Sequence, residues 1–105
     1  MSKTYKNLTI IIVTYKTKLK TLEKCLQSIQ SGIKVILIEN SKKFQNEDYI
    51  IKKFKNLKIK IYCSGKNIGY GGGNNFGLIK TKTKFALIVN PDVNFSKKFF
   101  KKIIK

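Results

Sequence analysis

At 105 residues the chain is long enough for one small domain, burying roughly 65% of the surface its unfolded form would expose. Hydrophobic residues at 42% fit a globular protein, while a formal net charge of +18 is far outside the usual range. All 23 basic residues are lysine, and a sequence-reading nucleic-acid binder would use arginine's planar fork; a solvated lysine surface is expected, with no specific nucleic-acid partner. Cys25 and Cys63 form no C-x-x-C pair and sit in apolar patterns, so buried free thiols are expected rather than a disulfide or metal centre. The apolar run near the N-terminus is too short to span a bilayer and lacks a signal-peptide cleavage pattern, so a soluble protein of the reducing cytosol is expected.

In chain order, "LTIIIVTY" (Leu8 to Tyr15) reads as a strand buried on both faces of a parallel sheet. Leu19, Leu22, Leu26 and Ile29 then recur at spacings of three and four, a helical stripe that Gly32 can end. "KVILIEN" (Lys34 to Asn40) is a second buried strand, followed by a short amphipathic helix carrying Tyr49, Ile50 and Phe54, with Asn46 as its expected cap. "LKIKIYC" (Leu57 to Cys63) alternates apolar and basic residues, as a strand near a sheet edge does. Next comes "NIGYGGGNNFG" (Asn67 to Gly77), which places five of the seven glycines in eleven residues. It reads as a loop, with "FGLIKTK" a weak helix after it, and such a run implies backbone brought close to something flat or anionic. A wide glycine turn into a helix is the plainer alternative. "KFALIVNPD" is a fourth strand, ended by Pro91, which has no N–H for the ladder. "FSKKFFKKIIK" then sets Phe95, Phe99, Phe100, Ile103 and Ile104 on one helical face against lysines. That face is expected to pack on the sheet, with an anionic membrane surface as the alternative.

The alternation β-α-β-α-β-α-β-α predicts an α/β fold: a doubly wound, mostly parallel sheet of about four strands with flanking helices, Rossmann-like in layout and forming a single domain over residues 1–105. In such sheets ligands collect at the carboxyl ends of the strands, here "VTYK", "IENS", "SGKNIGYGGGNN" and "VNPD". The glycine run matches neither G-x-x-x-x-G-K-[ST] nor G-x-G-x-x-G, which disfavours kinase-like and dinucleotide-binding readings. Of five carboxylates, Glu23, Glu47 and Asp48 fall on helix surfaces, leaving Glu39 and Asp92 at strand ends. A carboxylate there can accept from a ribose or base, or hold a hard divalent cation that bridges phosphates.

Taken together, "TIIIVTYK", "VILIENS", "NIGYGGGNNFG" and "LIVNPDV" resemble the N-terminal, nucleotide-sugar-binding half of family 2 glycosyltransferases of the GT-A fold, across about Leu8 to Phe95. The resemblance implies that Thr14 and Tyr15 lie beside the nucleotide base, and that Glu39, Asn40 and Ser41 contact base and ribose, with Glu39 standing where Asp is usual. It also implies that Asn67, Gly69, Tyr70, Gly73, Asn74 and Gly77 line the sugar-nucleotide site, and that Asn90-Pro91-Asp92 is the metal motif, Asp92 holding Mg²⁺ or Mn²⁺. The Asn-Pro-Asp form looks most like rhamnosyltransferases, so dTDP-rhamnose is the first expected donor and a UDP-sugar the second. The expected reaction is inverting transfer to a saccharide or lipid-linked saccharide, in surface polysaccharide synthesis, in the cytoplasm or peripherally at the inner membrane face. Family members carry the acceptor site and catalytic base in a C-terminal half, so the chain is expected to be truncated relative to a full enzyme and to lack its own base. A nonfunctional fragment with exposed apolar surface on the fourth strand or last helix, and a lysine-rich polyanion-binding module, are the competing readings.

Overall fold

A computed structural model describes residues 7–103, which form eight elements. These are β1 (Leu8–Thr14), α1 (Leu19–Gln27), β2 (Lys34–Glu39), α2 (Glu47–Lys53), β3 (Lys58–Cys63), α3 (Gly69–Lys80), β4 (Phe85–Val89) and α4 (Phe99–Ile103). The four strands are all parallel, in the order β3-β2-β1-β4. Chain connection runs outward from β1 to β3 and then crosses to β4 on the other side, so the switch point of the topology lies between β1 and β4.

Strand alternation divides the core into two layers. Ile10, Ile12, Val35 and Leu37 face one side, where Leu22, Cys25 and Leu26 of α1, Ile50 of α2 and Phe100 of α4 cover them. Val13, Ile36 and Ile38 face the other, covered by α3 through Phe76 and flanked by Tyr62. The β-branched run of β1 is buried at all seven positions because helices lie on both of its faces. The edge strand β3 instead exposes Lys58 and Lys60, in line with its alternating pattern.

Four expectations need correction. The glycine-rich stretch is not a loop before a helix; from Gly69 onward it is the body of α3, with only Asn67 and Ile68 leading into it. Glycine there costs about 1 kcal/mol per residue against alanine in helix propensity, and packing accounts for two of the positions. A Cβ on Gly73 would lie 2.7 Å from Val13 Cγ1, and one on Gly77 would lie 2.5 Å from Ile11 Cγ2. The flat object approached by the backbone is the protein's own sheet. Secondly, α1 ends at Gln27 rather than at Gly32, because the Ser28 hydroxyl donates to the Cys25 carbonyl at 2.7 Å and Ser28 caps the helix; Gly32, at φ 90°, makes the turn into β2. Thirdly, Asn46 stands at the cap position of α2, but its side chain makes no capping hydrogen bond. Asn46→Ala is therefore expected to change stability by less than about 0.5 kcal/mol, measured by denaturant unfolding, where a working cap costs about 1 kcal/mol. Finally, Phe95 precedes α4 rather than lying on it. It reaches the same cluster through ring contacts of 4.8 Å to Phe99 and 5.0 Å to Phe100. The phenylalanines thus pack on the sheet, as expected; Ile104, Lys105 and the side chain of Ile103 lie outside what the structure describes.

Apolar exposure is concentrated around β4 and the end of α3. Phe85 is 56% exposed, Ile88 42% and Ile79 82%, whereas Phe100 of α4 is buried. Of the two elements expected to show apolar surface, the strand does, and in the helix Phe100 is buried and Phe99 half-buried. Cys25 is buried and Cys63 half-buried, and both are free thiols. Burial, and secondarily the charge of Asp92, pushes the Cys25 thiol up to about 11, so it stays protonated and unreactive at neutral pH.

Candidate donor-binding site

Parallel registration sets the strand ends level. Thr14 lies opposite Glu39 and Glu39 opposite Cys63, so the last residues of three strands meet at one rim. Glu39, only 8% exposed, accepts a hydrogen bond from the Thr14 hydroxyl at Oε1 and one from the Ser41 hydroxyl at Oε2, both at 2.6 Å. A carboxylate has about four lone-pair sites, so each oxygen keeps one for a ligand. The buried charge is held by hydroxyl donors rather than by a cation. Beside it, Asn40 donates from Nδ2 to the Gly69 carbonyl at 2.9 Å and accepts at Oδ1 from the Ser64 hydroxyl at 2.8 Å. Asn40 therefore ties the end of β2 to the start of α3.

The β3–α3 connection is ordered by its own side chains. Asn67 Oδ1 accepts from the Gly69 amide at 2.9 Å, and Gly69 takes φ 80°, a left-handed conformation open to glycine at no steric cost. That turn lets α3 start over the rim with its positive end toward it. Tyr70, in the first turn, donates from its hydroxyl to Asn90 Oδ1 at 2.5 Å, spanning from α3 to the end of β4. The 90–98 segment is anchored from the other side, where the Phe95 amide donates to Ser28 Oγ at 2.9 Å.

These elements enclose a pocket of about 340 Å³ between the carboxyl ends of β1, β2 and β4 and the start of α3. Five residues singled out in the sequence line it: Tyr15, Asn40, Asn67, Gly69 and Tyr70. Thr14, Glu39 and Ser41 form the hydrogen-bonded group beside it, Asn90 is the partner of Tyr70, and Asp92 is exposed one residue past the lining Pro91. Gly73, Asn74 and Gly77 do not reach the pocket lining; all three are buried in α3, Gly73 against Val13 and Gly77 against Ile11. Three contributors were not singled out beforehand. Val13 and Thr17 line the pocket, and Ser64 orients Asn40. Ser64 lies at the carboxyl end of β3 and was legible from that position alone. Lys16, immediately after Tyr15, has φ 51°, a conformation uncommon for a residue with a Cβ and concentrated at functional sites.

The family model described as glycosyl transferase family 2 matches residues 9–105. The chain belongs to glycosyl transferase family 2. Among solved structures it is similar to S. aureus TarS, at 21% identity and a TM-score of 0.77, covering 91% of this chain and 18% of that one. The structure of TarS 1–349 in complex with UDP-GlcNAc matches at 20% identity and TM-score 0.76, covering 91% and 29%. The TarS 1–349 complex with UDP matches at 21% and 0.77, covering 91% and 30%. Likeness at this level establishes the GT-A fold, and the chain spans between 18% and 30% of the length of those structures. No match is found among curated proteins.

Metal-binding capacity is narrow. Among the described residues no group of three or more His, Cys, Asp or Glu side chains could hold a metal ion. Both Glu39 oxygens already accept hydroxyl protons, and Asp92 is the one carboxylate near the β4 end. A lone exposed carboxylate does not fit a resident metal cage. It does fit Mg²⁺ or Mn²⁺ that arrives with phosphates, since such ions keep several waters and need only one or two protein carboxylates.

Proposed function

We propose that this chain binds the nucleoside diphosphate portion of a sugar donor in the pocket between Tyr15, Asn40, Asn67 and Tyr70, as the donor-binding half of a glycosyltransferase. The observation that carries this reading is the convergence of three strand ends and the start of α3 on one pocket, whose lining includes Tyr15, Asn40, Asn67, Gly69 and Tyr70 of the residues that the family resemblance implies. The UDP-GlcNAc and UDP named for the TarS structures support a pyrimidine nucleotide. Between bases, the Asn90-Pro91-Asp92 sequence favours dTDP-rhamnose and the TarS ligands favour a UDP-sugar.

In this reading Tyr15 faces the base, and Thr14 and Ser41 orient Glu39 so that its remaining lone pairs accept from base N–H or ribose hydroxyls. Asn67 and Gly69 hold the start of α3 toward the diphosphate, where unsatisfied amides favour anions. Asp92 would hold Mg²⁺ or Mn²⁺, which when bound offsets the charge that develops on the departing diphosphate. Tyr70 restrains the Asn90-Pro91-Asp92 turn. Tyr70→Phe is expected to weaken nucleotide binding a few-fold in the presence of Mn²⁺ while leaving folding stability nearly unchanged, as read by calorimetry and denaturant unfolding, because the hydroxyl is exposed.

A catalytic base is missing from this assignment. Glu23 pairs with Lys53, and Glu47 and Asp48 open α2. With Glu39 bonded to two hydroxyls and Asp92 given to the metal, no rim carboxylate is left to deprotonate an acceptor. Lack of a base typically costs about 10²- to 10⁴-fold in rate. The chain alone is therefore expected to bind donor and to transfer sugar poorly. The saccharide or lipid-linked acceptor would be met by residues outside this chain. Among the described residues no helix is long and apolar enough to cross a membrane. A cytoplasmic setting, with peripheral contact at the inner membrane face, is the location that suits surface-polysaccharide synthesis. Titration of donor nucleotides into the folded chain tests the proposal.

A further inference from the structure

A second cavity lies at the opposite end of the sheet from the donor pocket. It is about 480 Å³ and is bordered by Lys34 and Lys58, the first residues of β2 and β3. Six residues per strand place it roughly 20 Å from the rim. Its apolar lining comes from Val35, Ile36, Ile51, Phe54, Leu57 and Ile59. Its charged lining comes from Lys55, Lys58, Lys60, Lys80 and Lys82 in addition to Lys34, and no carboxylate is among the lining residues.

Lysines on an exposed edge strand discourage strand pairing, which accounts for Lys58 and Lys60. It does not account for Lys55 after α2, or for Lys80 and Lys82 around the end of α3, which reach the same cavity from other elements. Lys80 is placed with its Nζ 5.1 Å from the centre of the Tyr62 ring and 5.8 Å from that of Phe76. Lysine stems can cover apolar floor while their ammonium groups stay at the mouth. The result is an apolar cavity with a positive rim, of a size usual for small-molecule sites. Inorganic anions would leave the floor wet, and single-stranded nucleic acid would want exposed aromatic faces, whereas the one aromatic lining residue among the described residues, Phe54, is buried.

We propose that this lysine-rimmed cavity binds an anionic amphiphile, an apolar chain ending in a phosphate or carboxylate, lying across the β3 edge with the chain on Ile51, Leu57 and Ile59 of the α2 side and the head on Lys58, Lys60 and Lys80 of the α3 side. The ligand is either a free amphiphile or a lipid of an anionic bilayer, and the two share this chemistry. The site is separate from the donor pocket and does not depend on that pocket's assignment.

The test is calorimetric titration of monomeric dodecyl phosphate into the full chain at about 200 mM salt, which suppresses nonspecific attraction to the +18 charge. The double variant K58E/K60E is expected to weaken binding at least tenfold. The control K97E/K98E, which changes the net charge equally on exposed residues before α4, is expected to leave it within twofold. Ile51→Asn, at a partly exposed floor position, should weaken dodecyl phosphate but not inorganic phosphate, and circular dichroism confirms that each variant is folded. Equal loss in both charge-reversed pairs, inorganic phosphate binding as tightly as dodecyl phosphate, or no dodecyl phosphate binding would each overturn the proposal. Given monomer binding, recruitment to phosphatidylglycerol but not phosphatidylcholine vesicles, lost in K58E/K60E, identifies a bilayer lipid as the source. Monomer binding without recruitment identifies a free amphiphile, and either result upholds the site.

Discussion

Gly77→Leu should lose about 3 kcal/mol or more of folding stability, a large share of the roughly 5–15 kcal/mol that holds a domain folded, while Gly71→Ala should gain up to about 1 kcal/mol. The two residues lie in the same glycine-rich helix and differ in what their missing side chains would meet. Even a single Cβ at Gly77 would stand 2.5 Å from Cγ2 of Ile11, a fully buried, β-branched residue in the central strand β1. Ile11 cannot swing aside without disturbing its neighbours, since its χ1 is stiff and its layer is close-packed. Leucine would have to lift α3 off the sheet, and with it the Asn40–Gly69 bond and the start of the donor pocket. At Gly71 a Cβ meets nothing within 4 Å, so alanine brings only its better helix propensity. Gly77→Ala sits between, with overpacking of about 1–3 kcal/mol set against a propensity gain of about 1 kcal/mol, for a net loss. Denaturant midpoints at constant slope measure all three. A stable Gly77→Leu protein would show that α3 does not need close contact with β1.

Glu39→Gln and Asp92→Asn should weaken nucleotide binding in separable ways. Glu39 receives the hydroxyls of Thr14 and Ser41 while presenting its remaining lone pairs at the rim. Hydrogen bonds to a charged partner contribute about 1.5–3 kcal/mol each, so loss of the charge should weaken binding of UDP or dTDP by about tenfold or more, with or without Mn²⁺. Asp92 is exposed and makes no part of that hydroxyl group. Asp92→Asn should abolish the increment due to Mn²⁺ and leave metal-free affinity unchanged. Full Mn²⁺ dependence in Asp92→Asn would remove Asp92 from the metal site, and unaltered affinity in Glu39→Gln would remove Glu39 from the nucleotide contact.

Much of this architecture was readable from residue order. The continuous β-branched runs of β1 and β2, the alternation of β3 and the short connections specify a parallel sheet; the carboxyl-end rule marks the loops at its rim, and the family resemblance picks out Tyr15, Asn40, Asn67 and Tyr70 within them. The glycine stretch misled because local propensity disfavours helix across Gly69 to Gly77, whereas close packing on Val13 and Ile11 requires it there. A single position could not be assigned to ligand or sheet from composition, since both demand a missing side chain. Gly73 faces the sheet and Gly69 lines the pocket, four residues apart on one helix. Asn46 carries a capping residue's identity without its hydrogen bond, and Ser28, unremarked in the sequence, serves both α1 and the segment leading to α4. The lysine-rimmed cavity was invisible along the chain because its lysines, 48 positions apart from Lys34 to Lys82, meet only after β2, α2, β3 and α3 have packed.

The central claim is that the pocket at the strand ends takes a nucleoside diphosphate. Calorimetric titration of UDP and dTDP into the folded chain at about 200 mM salt, with and without Mn²⁺, tests it most directly. The account requires saturable binding that strengthens with Mn²⁺ and is weakened by Glu39→Gln. No binding of either nucleotide by a folded, monomeric chain would contradict it.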